Sequence, residues 1–406
     1  MVRYASVLLV LALVLVACAS EPSTATLDLP GARNEAFRAA AKDHNLPLDW
    51  LVAISFQQGR FERADAIDDP AAPTKPEDPA EVLAEDTPLD DTDPPATDTI
   101  GDGTHDDLPG AWGVMALGDA QIAEAAALTS RDADSLRTET GANIDGAAAL
   151  IAARWDHTPE GLRTATAEFL GVADDPETVE LALADLDEVI ANGFDLTTED
   201  GERIAMIGTD PQPEAVEAAA PGTYPTRHWI PSPNFSSRLG YKVRFIVIHD
   251  IEGTMAGAIS VFKKSANQAS AHYITRARDG KVVQMVLESK NAWHSGHGWF
   301  NRNSVGIEHE GFAFKKRGGG YYNDRQYRAS ARLACAIAHR YNIRVDRKHI
   351  FGHMNVPSSL SSRTLCSDKR GIAGHCGGVS HHADPGRYWN WTKYMTLVRS
   401  CVKAAN

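Results

Sequence analysis

The charge of this chain changes sign once along its length, and that change argues for at least two separately folded units. Residues 1–240 hold 14 basic and 44 acidic side chains, whereas residues 241–406 hold 26 basic and 10 acidic ones. Each half is long enough to bury a core of its own. Between them, residues 206–240 concentrate proline, glycine and serine in "PQPEA", "PGTYP" and "PSPNFSS", the composition of a linker. The formal net charge of −14 therefore conceals an acidic half and a basic half.

The chain opens MVRYASVLLVLALVLVACAS, with Arg3 ahead of an uncharged apolar run that stops at Cys18. Residues 1–18 have the outline of a signal peptide, too short and wrongly flanked for a spanning helix. The stretch Leu15-Val16-Ala17-Cys18 resembles a bacterial lipobox. That resemblance implies cleavage before Cys18, acylation of Cys18 and attachment to a lipid bilayer through a tether at 19–31. Ala19, where a sorting aspartate would otherwise stand, implies by the same similarity an outer-membrane location facing the periplasm. In such a compartment a basic domain is expected to meet an anionic wall polymer, or the acidic half of its own chain, and not nucleic acid. The other cysteines are Cys335, Cys366, Cys376 and Cys401, an even number that suggests two disulfides with three possible pairings. The favoured pairs are 366–376, which closes a short loop, and 335–401, which ties a helix to the C-terminus. Their spacing does not suit a zinc knuckle.

Helical spacing of apolar residues runs through 32–61 and returns after residue 111, at "NIDGAAALIAARWD" and at 176–192. These stretches predict a mostly α-helical unit over 32–205. It is interrupted at 62–108 by 16 acidic residues with many prolines, a composition that cannot order itself by burial and reads as a disordered insertion. Two roles are open to that insertion: a solubilising spacer, which is the simpler, or an internal competitor lying over the basic groove. From 241 to 403 short apolar runs alternate with helical ones. Strands are expected at 243–249, 272–277, 282–288, 304–310 and 347–351, with helices near 257–265 and at 324–341. The fold class is an α/β unit, a mixed central sheet flanked by helices, preceded by the helical one.

In the helical half, "AISFQQGRF", "AWGVMAL" and "NIDGAAALI" occur in the order in which lytic transglycosylases, the goose-type lysozyme-like enzymes, carry their motifs. The resemblance places Gln58 at that family's catalytic glutamate and Gly59 at the serine after it. Glycosidic cleavage needs a carboxylic acid as proton donor, and an amide cannot serve. An inactive glycan-binding unit is the expectation, with Glu62 a poor substitute.

In the basic half, "FIVIHD" ends a strand buried on both faces with His249, "KHIFGH" ends another with His353, and Asp384 stands in "HADPG". Two imidazoles and a carboxylate, with water in the fourth position, make a catalytic zinc site. "FIVIHDIEGT", "ASAHYITRARDGKVVQMV", "NAWHSG", "NSVGIEHEG", "FGHMNVP" and "HADPG" together resemble the zinc-dependent N-acetylmuramoyl-L-alanine amidases. This is the type shared by phage lysozyme-amidases, bacterial amidases and peptidoglycan recognition proteins. The resemblance implies one Zn²⁺ held by His249, His353 and Asp384, and hydrolysis of the amide between N-acetylmuramic acid and L-alanine in peptidoglycan. It implies Glu308 as the acid–base residue, with Glu310 its rival, and His382 as support for the developing oxyanion. Trp293 and His294 are implied to line the substrate groove, against the simpler reading of a packed tryptophan and a hydrogen-bonded histidine. His272 reads as structural. His353 and Asp384 lie 31 positions apart, a long interval that makes His375 and His381 rival ligands. The competing function is a non-catalytic peptidoglycan-binding or wall-tethering protein, which in this family commonly lacks a zinc ligand.

Overall fold

A computed structural model describes residues 29–59, 61, 81, 83, 86–89, 112–198, 200–209, 222–225, 227–312, 322–368 and 376–405. The acidic half is helical. Its helices are α1 (Ala32–Asp43), α2 (Leu48–Gly59), α3 (Asp119–Thr129), α4 (Ala133–Thr138), α5 (Thr140–Ala152), α6 (Pro159–Phe169) and α7 (Pro176–Asn192). Strand β1 (Thr87–Pro88) falls between α2 and α3, and a hairpin of β2 (Gly193–Thr197) and β3 (Arg203–Ile207) closes the unit. Helix starts follow their caps: Thr158 and Asp175 each accept a backbone N–H in the first turn, and each is followed by proline, whose fixed φ suits that position. The core gathers Phe37, Phe56 and Phe61 with Leu51, Ile54, Ile144 and Leu186, and Phe56 stacks on Phe194 of β2 at 4.2 Å.

The basic half is built on a six-stranded sheet. Its elements are β4 (Arg227–Trp229), β5 (Phe235–Ser237), β6 (Phe245–Ile248), α8 (Met255–Lys263), β7 (Tyr273–Thr275), β8 (Val282–Gln284), β9 (Lys290–Ala292), α9 (Gly298–Asn303), β10 (Ser304–His309), α10 (Asp324–Tyr341), β11 (Ile350–Gly352), β12 (Thr364–Leu365) and α11 (Trp391–Ala405). The sheet order is β11-β6-β10-β7-β8-β4, and only the β7–β8 pair is antiparallel. This is the mixed sheet expected. Strand β4 lies in the proline-rich stretch 206–240; Arg-His-Trp on an exposed edge carries no apolar alternation to mark it.

Register makes the three parallel strands β11, β6 and β10 act as one surface. Ile248 pairs with Ile307 on one side and Gly352 on the other. Side chains alternate across a sheet, so Ile246, Ile248, Val305, Ile307 and Ile350 share one face and pack with Leu333, Ile337, Tyr394 and Val398 of α10 and α11. Phe245, Val247 and Phe351 occupy the other face, with Trp299, Phe300, Val356 and Leu365. Both disulfides form as favoured, Cys335–Cys401 between α10 and α11 and Cys366–Cys376 within the long interval.

The two halves meet through opposite charge. Lys263 pairs with Asp175 at 2.9 Å, Arg276 with Asp185 and Arg278 with Glu188, around a contact of Ala256 with Ala167, Val172 and Ala182.

Two expectations do not hold. The first is the lipid anchor. Every cysteine among the described residues is closed in a disulfide, so none of them is a free thiol for acylation, and no described helix is long and apolar enough to cross a membrane. Cys18 lies outside the described residues. Acylation of Cys18, a bilayer partner and an outer-membrane location are not carried forward. The second is disorder throughout 62–108. Leu83 is buried in the core of the basic half and β1 pairs antiparallel with β12. Composition reflects only the burial a segment can achieve within itself, whereas the surface that orders these residues belongs to the other half of the chain. The rest of the insertion lies outside the described residues.

Candidate metal centre

Because β11, β6 and β10 end in register, the positions after Gly352 and Ile248 and the one after Ile307 fall side by side at the C-terminal edge. These are His353, His249 and Glu308, all fully buried. Each continues the alternation of Phe351, Val247 and Gly306, so all three face the same side. Asp384 arrives from the long interval. Its Oδ2 lies 3.1 Å from His249 Nδ1 and its Oδ1 3.0 Å from His353 Nδ1.

The ring of His249 is oriented by a relay. Ser304 Oγ donates to the Phe300 carbonyl at 2.7 Å, so its oxygen receives the Nε2–H of His294 at 3.1 Å. His294 Nδ1 is then an acceptor, and His249 Nε2–H donates to it at 2.9 Å. The lone pair of His249 is thereby left on Nδ1, aimed at Asp384 and His353. Burial pushes the His249 imidazolium down to about 4 and that of His294 well below the usual histidine range, which keeps both rings neutral near pH 7. Burial raises the Asp384 carboxyl, but the charge of His353 and the contacts with both rings more than offset it and hold the group well below its ordinary value.

His249 Nδ1, both ring nitrogens of His353 and Asp384 Oδ1 are buried without a hydrogen-bond partner. One atom from each of these three residues lies within 4.8 Å of the others. Buried polar atoms left unbonded are costly. Two imidazole rings and one carboxylate converging in this way suit a divalent cation with one coordination position left open.

The rivals and helpers sort by their bonds. Glu310 is committed to backbone: Oε1 accepts from Met255 N–H at 3.2 Å and Oε2 from Ala277 N–H at 2.8 Å. His272 is structural, accepting from Gly306 N–H on Nδ1 and donating to the Lys290 carbonyl from Nε2. His294, implied for the groove, is fully buried behind His249; Trp293 is half-buried, with its indole N–H toward Ser236. The His382 ring stacks on His353 with centroids 4.7 Å apart. His381 is exposed and stands outside the cluster, while His375 lies outside the described residues.

The relay through Ser304 and the glycines that admit these rings carry little mark in the sequence. A Cβ on Gly306 would lie 2.6 Å from the His294 ring. At Gly378, where φ is +66°, it would lie 2.3 Å from the Ser295 carbonyl and 3.2 Å from His353 Nε2. A glycine inside a strand pattern, as in "SVGIEH", is the available signal for Gly306.

Residues 239–387 match the N-acetylmuramoyl-L-alanine amidase family. N-acetylmuramoyl-L-alanine amidase A of Achromobacter lyticus is 32% identical over 164 residues, 38% of this chain and 81% of that protein. The chain belongs to this amidase family. The 1,6-anhydro-N-acetylmuramyl-L-alanine amidase AmpD of Citrobacter freundii is 30% identical over 138 residues, 32% of this chain and 58% of that one. Among solved structures, a selenomethionine AmpD derivative aligns at 23% identity with a TM-score of 0.32, over 45% of this chain and 99% of that one. The family match begins beyond the helical half and lends nothing to the lysozyme-like resemblance there.

Proposed function

We propose that the protein is a zinc-dependent hydrolase of the amide bond between N-acetylmuramic acid and L-alanine in peptidoglycan. The observation that carries this reading is the convergence of His249 Nδ1, His353 and Asp384 as buried, unbonded donors. These three residues would hold the ion; when bound, zinc supplies the Lewis acidity that polarises an amide carbonyl and acidifies water. Glu308, beside His249 at the strand edge, takes the proton of the attacking water and passes it to the departing alanine nitrogen. His382, stacked on His353, donates to the carbonyl oxygen as it becomes tetrahedral. Trp293 offers an apolar surface at the rim, and the positive balance of residues 241–406 draws in the carboxylates of the stem peptide.

We further assign residues 32–205 and 241–403 as the two units of the chain, and the helical one as non-hydrolytic. Gln58 stands in the last turn of α2 where a glutamate would be required, and its amide has no proton to give. The test is mass spectrometry of products released from purified sacculi, beside measurement of bound zinc. Free stem peptides beginning with L-alanine support the proposal. Full zinc occupancy without such release would replace it with a binding role, and anhydro-terminated glycan from a Glu308→Gln chain would overturn the assignment of the helical unit.

A further inference from the structure

The acidic insertion reaches the turn that carries His353. Leu83 packs among Phe245, Val247, Phe351, Val356 and Leu365, on the same sheet face as the metal cluster and below it. Around it the backbone is paired: β1 lies antiparallel to β12, Leu89 N–H donates to the Arg363 carbonyl at 3.0 Å, and Asp368 N–H donates to the Leu83 carbonyl at 2.8 Å. Glu81 is buried too. Its carboxylate meets the Arg399 guanidinium, and its carbonyl accepts from Arg347 Nη1 at 2.6 Å.

From these contacts a continuous set of bonds leads to the metal cluster. Asp368 accepts from Leu83 N–H at 2.8 Å, from Arg347 at 3.0 and 3.1 Å and from Asn355 Nδ2 at 2.8 Å. Asn355 Oδ1 in turn accepts from Gly352 N–H at 2.9 Å, and Asn355 Nδ2 also donates to the Cys366 carbonyl at 3.0 Å. Gly352 precedes the 3₁₀ turn His353–Asn355 and Asn355 ends it. Arg347 is buried against the Trp391 ring. Without Glu81, Leu83 and residues 86–89, Arg347 and Asp368 would each lose a partner and the apolar face under the turn that carries His353 would open to water.

We infer that Glu81, Leu83 and residues 86–89 are a positioning element of the active site, supplied from within the helical half, that fixes the His353 turn through Asp368, Arg347 and Asn355. This rests on the reading of His353 as a metal ligand. It gives the insertion a task that neither a solubilising spacer nor a competitor over the groove would perform.

The test uses the full chain titrated with zinc alone, with hydrogen exchange read over residues 350–368. Leu83→Asp sets an unpaired carboxylate among Phe245, Val247 and Phe351, and Leu83→Ala removes only volume. Expected are a fall in zinc affinity of tenfold or more for Leu83→Asp, several-fold for Leu83→Ala, and faster exchange between Asn355 and Cys366. kcat should drop with KM unchanged, and Leu128→Asp on the exposed face of α3 should change nothing. Adding the peptide EVLAEDTPL, residues 81–89, should restore part of the affinity of Leu83→Ala. If Leu83→Asp fails to fold, Leu83→Ala and the peptide carry the result. Unchanged zinc affinity and exchange in the folded variants, with His353→Ala abolishing zinc binding, overturns the inference. Unchanged zinc affinity in His353→Ala overturns instead the metal reading on which it rests.

Discussion

Two buried histidines stand at the same edge of the sheet on opposite faces, and their bonds differ. His309 lies on the face packed against α10 and α11. Its Nδ1–H donates to the His249 carbonyl at 2.7 Å, its Nε2 meets Ser330 Oγ at 2.7 Å, and Trp389 covers the ring. His249, one strand away on the other face, has one nitrogen bonded to His294 and one unbonded nitrogen aimed at a carboxylate and a second imidazole. Both are completely buried. Burial alone therefore does not mark a ligand; an unfilled lone pair in company with others does. The same contrast runs down the strands, where Ile246 and Ile248 build the core and Val247 leads to the site.

The largest effect should come from emptying the cluster. His249→Ala or Asp384→Ala should lose stoichiometric zinc and all measurable turnover, whereas His309→Gln should keep both; metal analysis beside a sacculus-release assay separates the two faces. Next, Glu308→Gln should fold, retain zinc and turn over about a hundredfold more slowly, the usual scale for a positioned acid or base. Glu310→Gln should change stability more than kcat, because its carboxylate caps backbone N–H groups; a reversed pattern would exchange their roles. His294→Phe, which removes the acceptor for His249 Nε2–H, should weaken zinc binding by roughly 10–100-fold, the range for residues that orient a ligand from behind. On the opposite face, Ile248→Val should cost about 0.5–1.5 kcal/mol in denaturant unfolding and leave kcat alone. The last effect is read as a slope with pH and not as a single loss. Burial pushes His309 down to about 3, while the unfolded chain takes its proton near the free-peptide value of about 6.5. The folded state thus binds fewer protons in that window. Its contribution to stability is complete above the unfolded value and is lost as pH falls toward the folded one. His309→Gln should flatten the decline in stability between neutral pH and pH 4, and an unchanged slope would reject the assignment.

Sequence made the site face legible because strand ends announce themselves. "FIVIH" and "KHIFGH" pass from β-branched apolar residues to histidine, and the structure places both at the edge of one sheet. The helix expected at 324–341 is α10, which Asn323 caps and Asn342 ends in a left-handed conformation. Strand β6 is shorter than expected at each end, because its pairing with β10 stops where the flanking loops begin to turn. What stayed hidden depended on partners far away in sequence. Strand β4 gains its place by pairing with β8, and Leu83 finds its pocket in another part of the chain. The "AWH" histidine is plain in the sequence, but the post of His294 behind His249 depends on Gly306 leaving room for a ring, a fact of three dimensions.

Strand β1 also sets a timetable. Thr87 of β1 and its partner Leu365 of β12 are 278 residues apart, so at roughly 5–20 residues per second the ribosome needs on the order of 14–56 s to make the second after the first. For that interval a segment built to pair with another strand has nothing to pair with, and an unpaired strand invites the wrong neighbour. The 16 acidic residues of 62–108 repel one another and other acidic chains while it waits. Dense like charge is one of the ways an unpaired strand is kept from wrong neighbours, and for a strand that docks this late that protection matters before the fold is complete.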